Sequence, residues 1–249
     1  MIETKGLSKS FGGVQAVSDC TFSLNGHAIT GLIGPNGSGK TTLFNLITGF
    51  LLPDSGEIYF KGKRIDGRLP HEVASAGMVR TFQMTRVLAK MTVLDNMLIA
   101  CPRQTGETLR SLFLKSKAIQ EEEKAHRKRA LELIEWVGLS HLKDQWAGNL
   151  SYGQQKLLEL ARALMANPKM ILLDEPTAGI NPMMIRTILE LILKMKEWGV
   201  AFFIIEHNMD VVIELCEWVF VLDNGRKIAE GKPKEIQQNP RVIEAYLGV

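Results

Sequence analysis

The chain has 249 residues, 45% of them hydrophobic and 23% charged, which is ordinary globular composition with material for one large domain or one domain carrying an insertion. A net charge of +3 excludes the strongly basic balance of a nucleic-acid binder, and Cys20, Cys101 and Cys216 are too far apart for metal-ligand spacing, so they read as free thiols of a reducing compartment. The N-terminal MIETKGLSKSF has no apolar signal core, and no apolar run approaches the ~18 residues that span a bilayer, so any membrane role would pass through a partner.

In chain order, the apolar run 28–33 reads as a buried strand, and 42–51 (TLFNLITGFL) reads as a helix. Between them GPNGSGKT fits G-x-x-x-x-G-K-[ST], and the strand–loop–helix context makes this pattern a phosphate-binding loop. Gly34, Gly37 and Gly39 allow the tight turn, and with Asn36 and Ser38 they aim backbone N–H groups at phosphate oxygens. The following helix N-terminus adds partial positive charge. Lys40 would reach the β- and γ-phosphates, and the Thr41 hydroxyl would hold Mg²⁺.

Strands are predicted at 56–60 and 78–82. From about 92 to 164 no strand pattern is convincing, and from Ala130 the apolar residues Leu133, Ile134 and Val137 recur at helical spacing. The charge run 121–129 reads as a solvated helix face. This stretch is therefore a helical insertion of about 70 residues, counted from the strand pattern. Segments 1–91 and 166–249 form the core around 92–165.

Within LSYGQQK, Ser151 followed by Gln154 predicts a capping box opening a helix over 153–165. The same feature can be read as a second phosphate-binding helix end, built from the Ser151 hydroxyl and the Gly153 N–H. In MILLDEP a buried strand over 170–174 ends in two carboxylates, where α/β proteins place ligands. Asp174 would hold the Mg²⁺ shell and Glu175 would polarise the attacking water. A helix over 182–198, a strand over 201–205, a lone His207, a helix over 208–216, strands at 218–222 and 227–230 and a helix over 242–247 complete the pattern. The alternation gives an α/β fold with a largely parallel core sheet.

Phosphate loop, Gln83, LSYGQQ, LLDEP and His207, in that order and spacing, strongly resemble the ATPase subunits of ATP-binding cassette (ABC) transporters, along essentially the whole chain. The resemblance implies a P-loop NTPase (RecA-like) core with a mainly parallel sheet, an antiparallel β subdomain and a helical insertion subdomain. It also implies ATP and Mg²⁺ as ligands. Phe11 would stack on adenine, and Asn36 to Thr42 would cradle the phosphates. Gln83 would contact Mg²⁺ and the attacking water, and would report nucleotide state to a transmembrane partner. Ser151, Gly153 and Gln154 would contact ATP bound to the opposite subunit. Glu175 would be the catalytic carboxylate, His207 the switch histidine on the γ-phosphate, and Ala178, Gly179 and Asn181 part of the dimer-contact loop. Tyr152 replaces a usual glycine, Asn181 a usual aspartate, and Phe11 the commoner tyrosine.

The phrases VRTFQ, MTVLDN, LSYGQQ and NPRVIEAYLG resemble more narrowly the ATPases of branched-chain amino acid importers, with amide and urea systems of similar style. The implied partners are a second ABC ATPase subunit (identical or paralogous), transmembrane permease subunits and, indirectly, a substrate-binding protein, at the cytoplasmic face of the cell membrane. No nucleic-acid partner is expected. The alternatives are a soluble ABC ATPase acting on ribosomes or DNA, which would carry a second cassette, a coiled-coil arm or a basic extension, and a P-loop kinase, which leaves LSYGQQ unexplained. A non-catalytic regulatory subunit would lack Glu175 or His207.

Overall fold

The computed structural model describes residues 1–24, 29–81, 87–102 and 117–247. In chain order the strands are β1 (Ile2–Phe11), β2 (Val14–Leu24), β3 (Ile29–Ile33), β4 (Ser55–Phe60), β5 (Lys63–Arg64), β6 (Met78–Arg80), β7 (Met170–Asp174), β8 (Ala201–Ile205), β9 (Trp218–Asp223) and β10 (Arg226–Gly231). The helices are α1 (Lys40–Ile47), α2 (Pro70–Ser75), α3 (Val93–Leu98), α4 (Lys117–Trp136), α5 (Tyr152–Met165), α6 (Pro182–Glu197), α7 (Met209–Leu215), α8 (Pro233–Gln237) and α9 (Pro240–Leu247). Two compact units emerge, one of 1–83, 169–178 and 189–249, the other of 84–168 and 179–188.

The first unit contains two sheets. An antiparallel sheet runs β2-β1-β4-β5, and a six-stranded sheet runs β10-β9-β3-β8-β7-β6. In the second, β9, β3, β8, β7 and β6 pair in parallel, and β10 closes the edge antiparallel to β9. β3, β7 and β8 are buried at every position, as expected of parallel strands covered on both faces. Their sequences, ITGLI, MILLD and AFFII, are accordingly continuous apolar runs rather than alternating ones. β1 loses its alternation after Thr4 because bulges interrupt its pairing with β2 between Thr4 and Leu7 and again toward Ser10, whereas β2 alternates over 19–24, with Cys20, Phe22 and Leu24 buried. Gly6 and Asp19 take left-handed backbone conformations at this irregularity.

Four aromatic rings join the layers of the core. Phe203 of β8 packs 5.0 Å from Phe44 of α1 and 5.8 Å from Phe22 of β2, and Phe22 lies 5.1 Å from Phe220 of β9. Cys20, Cys101 and Cys216 are all free and buried, and burial pushes the Cys20 and Cys216 thiols up to about 11 and about 12.

The second unit is helical. Thr92 caps α3 by accepting from the Asp95 N–H, and the fully buried Asn96 bonds both the N–H and the C=O of Leu88. Arg129 of α4 donates to the Leu164 carbonyl at the end of α5, at 2.8 Å. No strand occurs among the described residues between 92 and 165; there is one bridge, Thr92 to Trp146. Also among the described residues, no helix is long and apolar enough to cross a membrane.

Phe203→Ala removes the ring that touches both α1 and β2, and should cost about 3–5 kcal/mol. Urea unfolding measures it; a loss below about 1 kcal/mol would contradict the packing role.

Candidate functional site

The site of the first unit is built at the C-terminal ends of β3, β8 and β7, which are neighbours in the sheet. The chain leaves β3 into Gly34 and enters α1 at Lys40 through the cap residue Gly39, which supplies no side-chain acceptor to the helix. The first N–H groups of α1 are thus left for a ligand. Gly34 and Gly39 are sterically obligatory. A Cβ on Gly34 would lie 2.0 Å from the Leu222 carbonyl oxygen, and one on Gly39 would lie 2.1 Å from that of Ala16. The loop is pinned from outside by the Gly225 N–H, which donates to the Ser38 carbonyl at 3.0 Å.

Lys40 is buried, and its ammonium donates to the carbonyls of Gly34 (2.9 Å) and Pro35 (2.8 Å). Burial lowers its pKa, while Glu175 and then Asp174 pull it back up. A cavity of about 220 Å³ opens in front of it, walled by Asn36, Gly37, Thr41, Thr42, Glu175 and His207. Gly34, Ser38 and Phe11, expected from the sequence at the phosphates and adenine, are outside that wall. Phe11 ends β1 as a partly exposed residue, with the Lys9 ammonium 5.6 Å above its ring.

Glu175 follows β7 and His207 follows β8. Glu175 Oε1 and His207 Nε2 are 2.7 Å apart. Glu175 takes a left-handed backbone conformation (φ 49°), and its N–H bonds the Ile205 carbonyl at 3.0 Å. A non-glycine residue in that region stores strain of order 1 kcal/mol. The buried Glu206 carboxylate supports both loops. It accepts from the Thr177 hydroxyl and N–H on one side and from the His207 N–H (3.0 Å) on the other. Asn208 then caps α7 through the Asp210 N–H.

Asp174 is nearly inaccessible, and its Oδ2 accepts from the Arg80 guanidinium at 2.9 Å. Arg80 also donates to Asn45 (2.6 Å) and lies over the Phe44 ring, so β6, α1 and β7 meet at one guanidinium. Gln83, three residues further on, and Phe82 lie outside the described residues. The sequence motifs give no site role to three contributors: Arg80, which lies within VRTFQ, Glu206, and Tyr246, which lies within NPRVIEAYLG and accepts from the Gly34 N–H. Glu206 was signalled only by its position between an apolar strand and His207, and Arg80 by a cation closing a short apolar strand.

In the second unit Ser151 caps α5. Its Oγ accepts from the Gln154 N–H, and Gln154 Oε1 accepts from the Ser151 N–H at 2.9 Å. A Cβ on Gly153 would meet the Met184 side chain at 2.9 Å, so a larger residue there would have to displace that flexible side chain. The Tyr152 ring lies beside Gly179. Asn181 caps the first turn of α6 by accepting from the Met184 N–H at 2.9 Å, a task asparagine performs as well as aspartate. Ala178 belongs to the first unit and closes the turn after β7 by donating to the Glu175 carbonyl.

A glycine-lined anion cradle, a buried lysine and a carboxylate–histidine pair on adjoining strand ends define a nucleotide-hydrolysing core. Two family profiles match the chain: "ABC transporter" over residues 17–178, and "Branched-chain amino acid ATP-binding cassette transporter" over residues 226–249. The probable branched-chain amino acid transport ATP-binding protein LivG of Archaeoglobus fulgidus is 44% identical over 100% of this chain and 95% of its own length. The high-affinity branched-chain amino acid transport ATP-binding protein BraF of Pseudomonas aeruginosa is 38% identical over 100% and 98%. The solved ADP conformation of an ABC transporter cassette superposes with a TM-score of 0.85 at 44% identity, covering 100% of this chain and 99% of that one. A dimeric cassette in a post-hydrolysis state bound to ADP and phosphate gives 0.76 at 26% identity, covering 94% and 99%. The chain belongs to the ABC transporter family, as a nucleotide-binding subunit that hydrolyses ATP.

Arg80→Met should leave the Asp174 carboxylate buried without its ion-pair partner and cost about 3–5 kcal/mol in urea unfolding. A loss under about 1 kcal/mol would show that the pair does not hold β6 and β7 to α1.

Proposed function

We propose that this chain drives an importer of branched-chain amino acids by binding Mg-ATP at the β3–α1 loop and hydrolysing it with Glu175 as the base. The observation that carries this reading is the 2.7 Å contact between Glu175 and His207 on the wall of the phosphate cavity. In this reading the N–H groups of Gly37 to Thr42 bind the phosphates and Lys40 swings from the loop carbonyls to the β- and γ-oxygens. Its present bonds to Gly34 and Pro35 keep the ammonium satisfied until then.

The donor set suits a hard cation: the Thr41 hydroxyl on the cavity wall, the Asp174 carboxylate at the strand end, and the Gln83 amide. Bound Mg²⁺ would neutralise charge on the β- and γ-phosphates. Asp174, whose Oδ2 already accepts from Arg80, would act on the outer shell of the ion. Glu175 accepts the proton of the attacking water, and His207 positions the γ-phosphate while holding the Glu175 side chain in place. Phe11, exposed at the strand end, offers its ring to adenine.

Ser151, Gly153 and Gln154 would complete the site of a second ATPase subunit, and Ala178, Gly179 and Asn181 would meet that subunit. The dimeric relative supports this arrangement. The insertion 92–165 and the Gln83 region would pass the motion to a permease at the cytoplasmic face of the membrane, with a substrate-binding protein delivering the cargo. The match of residues 226–249 and the names of the relatives support branched-chain amino acids as that cargo.

Glu175→Gln should retain ATP affinity within about threefold, lower kcat by at least about 100-fold, and accumulate as an ATP-bound dimer in size-exclusion chromatography. Near-normal turnover would remove Glu175 from the role of base.

A further inference from the structure

The C-terminal helix reaches the phosphate loop. The Gly34 N–H donates to the Tyr246 hydroxyl at 2.9 Å, across 212 residues of sequence. Gly34 is thereby held on three sides. Its N–H is taken by Tyr246, its carbonyl accepts from Lys40 at 2.9 Å, and its α-carbon is pressed against the Leu222 carbonyl so closely that no side chain fits. Tyr246 therefore fixes the near side of the residue whose far side carries the Lys40 ammonium. It also turns the Gly34 N–H away from any ligand, so the phosphate donors of the loop begin further on, at the residues that wall the cavity.

Tyr246 as a residue is 44% exposed, so it is not part of the closed core, although burial of its hydroxyl end raises its pKa. Val242 is the residue of α9 that is buried, and it anchors the helix. What Tyr246 adds at the loop is its hydroxyl oxygen. The segment that supplies it, 226–249, is the one matched by the narrower branched-chain profile.

We propose that Tyr246 is a positioning residue for the phosphate loop, and that α9 serves as a strut setting the loop through the Gly34 N–H. The proposal rests on the reading above that Gly34–Thr41 leads into the phosphate cradle. It makes the C-terminal segment part of the nucleotide-binding machinery, acting through Gly34 and Lys40 without touching nucleotide.

The test is Tyr246→Phe in the full chain, which keeps the ring and removes the oxygen. Three quantities are measured: affinity for the β,γ-imido analogue of ATP with Mg²⁺, steady-state KM and kcat for ATP, and hydrogen exchange of the Gly34 amide. Loss of one hydrogen bond should weaken analogue affinity and raise KM about three- to tenfold, with kcat within about twofold. Gly34 exchange should rise about tenfold or more while the thermal midpoint stays within ~2 °C. Unaltered affinity in the folded variant overturns the proposal, whether or not Gly34 exchange changes. A fall in midpoint with faster exchange along all of α9 also overturns it, because Tyr246 would then be an anchor of its own helix. Lys40→Ala in the same binding assay checks the phosphate-loop reading separately; wild-type affinity there would defeat that reading whatever Tyr246 does.

Discussion

The parallel pairing of β3, β8 and β7 is the constraint on which the site depends. Leu32 of β3 lies opposite Ile205 of β8, and Ile205 opposite Asp174 of β7, so the three strands end level. The phosphate loop, Glu206–His207 and Glu175 leave the sheet at these ends. No long side chain has to reach across the protein to assemble them. The strands are made almost wholly of apolar residues, and their burial holds the ends in register. Slipping one strand by a residue would turn its side chains to the opposite face and break the Glu175–His207 contact.

Burying so many polar groups around that edge is costly unless each is paired. Lys40 is satisfied by two carbonyls of its own loop, Asp174 by Arg80, and Glu206 by Thr177 and His207. These pairings are local to the strand ends and join neighbouring elements. Arg80 ties β6 and α1 to β7, Glu206 ties the loop after β7 to the loop after β8, and Tyr246 ties α9 to the loop after β3. The edge is a network of braces around a small polar cavity.

Much of this was legible in the sequence, for physical reasons that differ by element. The strands over 170–174 and 201–205 coincide with β7 and β8, because a fully buried parallel strand is a short apolar run with clear ends. The helix predicted at 42–51 begins earlier and stops at Ile47, since the phosphate loop feeds directly into Lys40 and the chain turns at Gly49. The strand predicted at 78–82 ends as a ladder at Arg80, with Thr81 still bonded to Leu172 and Phe82 outside the described residues. β1 carries a weaker signal, because the irregularity at Gly6 shifts the alternation that marks a half-buried strand, while β2 does alternate over 19–24. Motifs pointed to Glu175, His207 and Lys40. They give no role to Glu206, nor to Arg80 and Tyr246 although VRTFQ and NPRVIEAYLG contain them, because the importance of all three lies in what they touch across 29, 94 and 212 residues.

The central claim is that the strand ends bring Glu175 and His207 together as one working unit in ATP hydrolysis. A double-mutant cycle on kcat with Glu175→Gln, His207→Ala and their combination tests it most directly. The account predicts a double variant no more than about threefold slower than the slower single variant. Losses that simply multiply would contradict it, and would mean that the two side chains act independently.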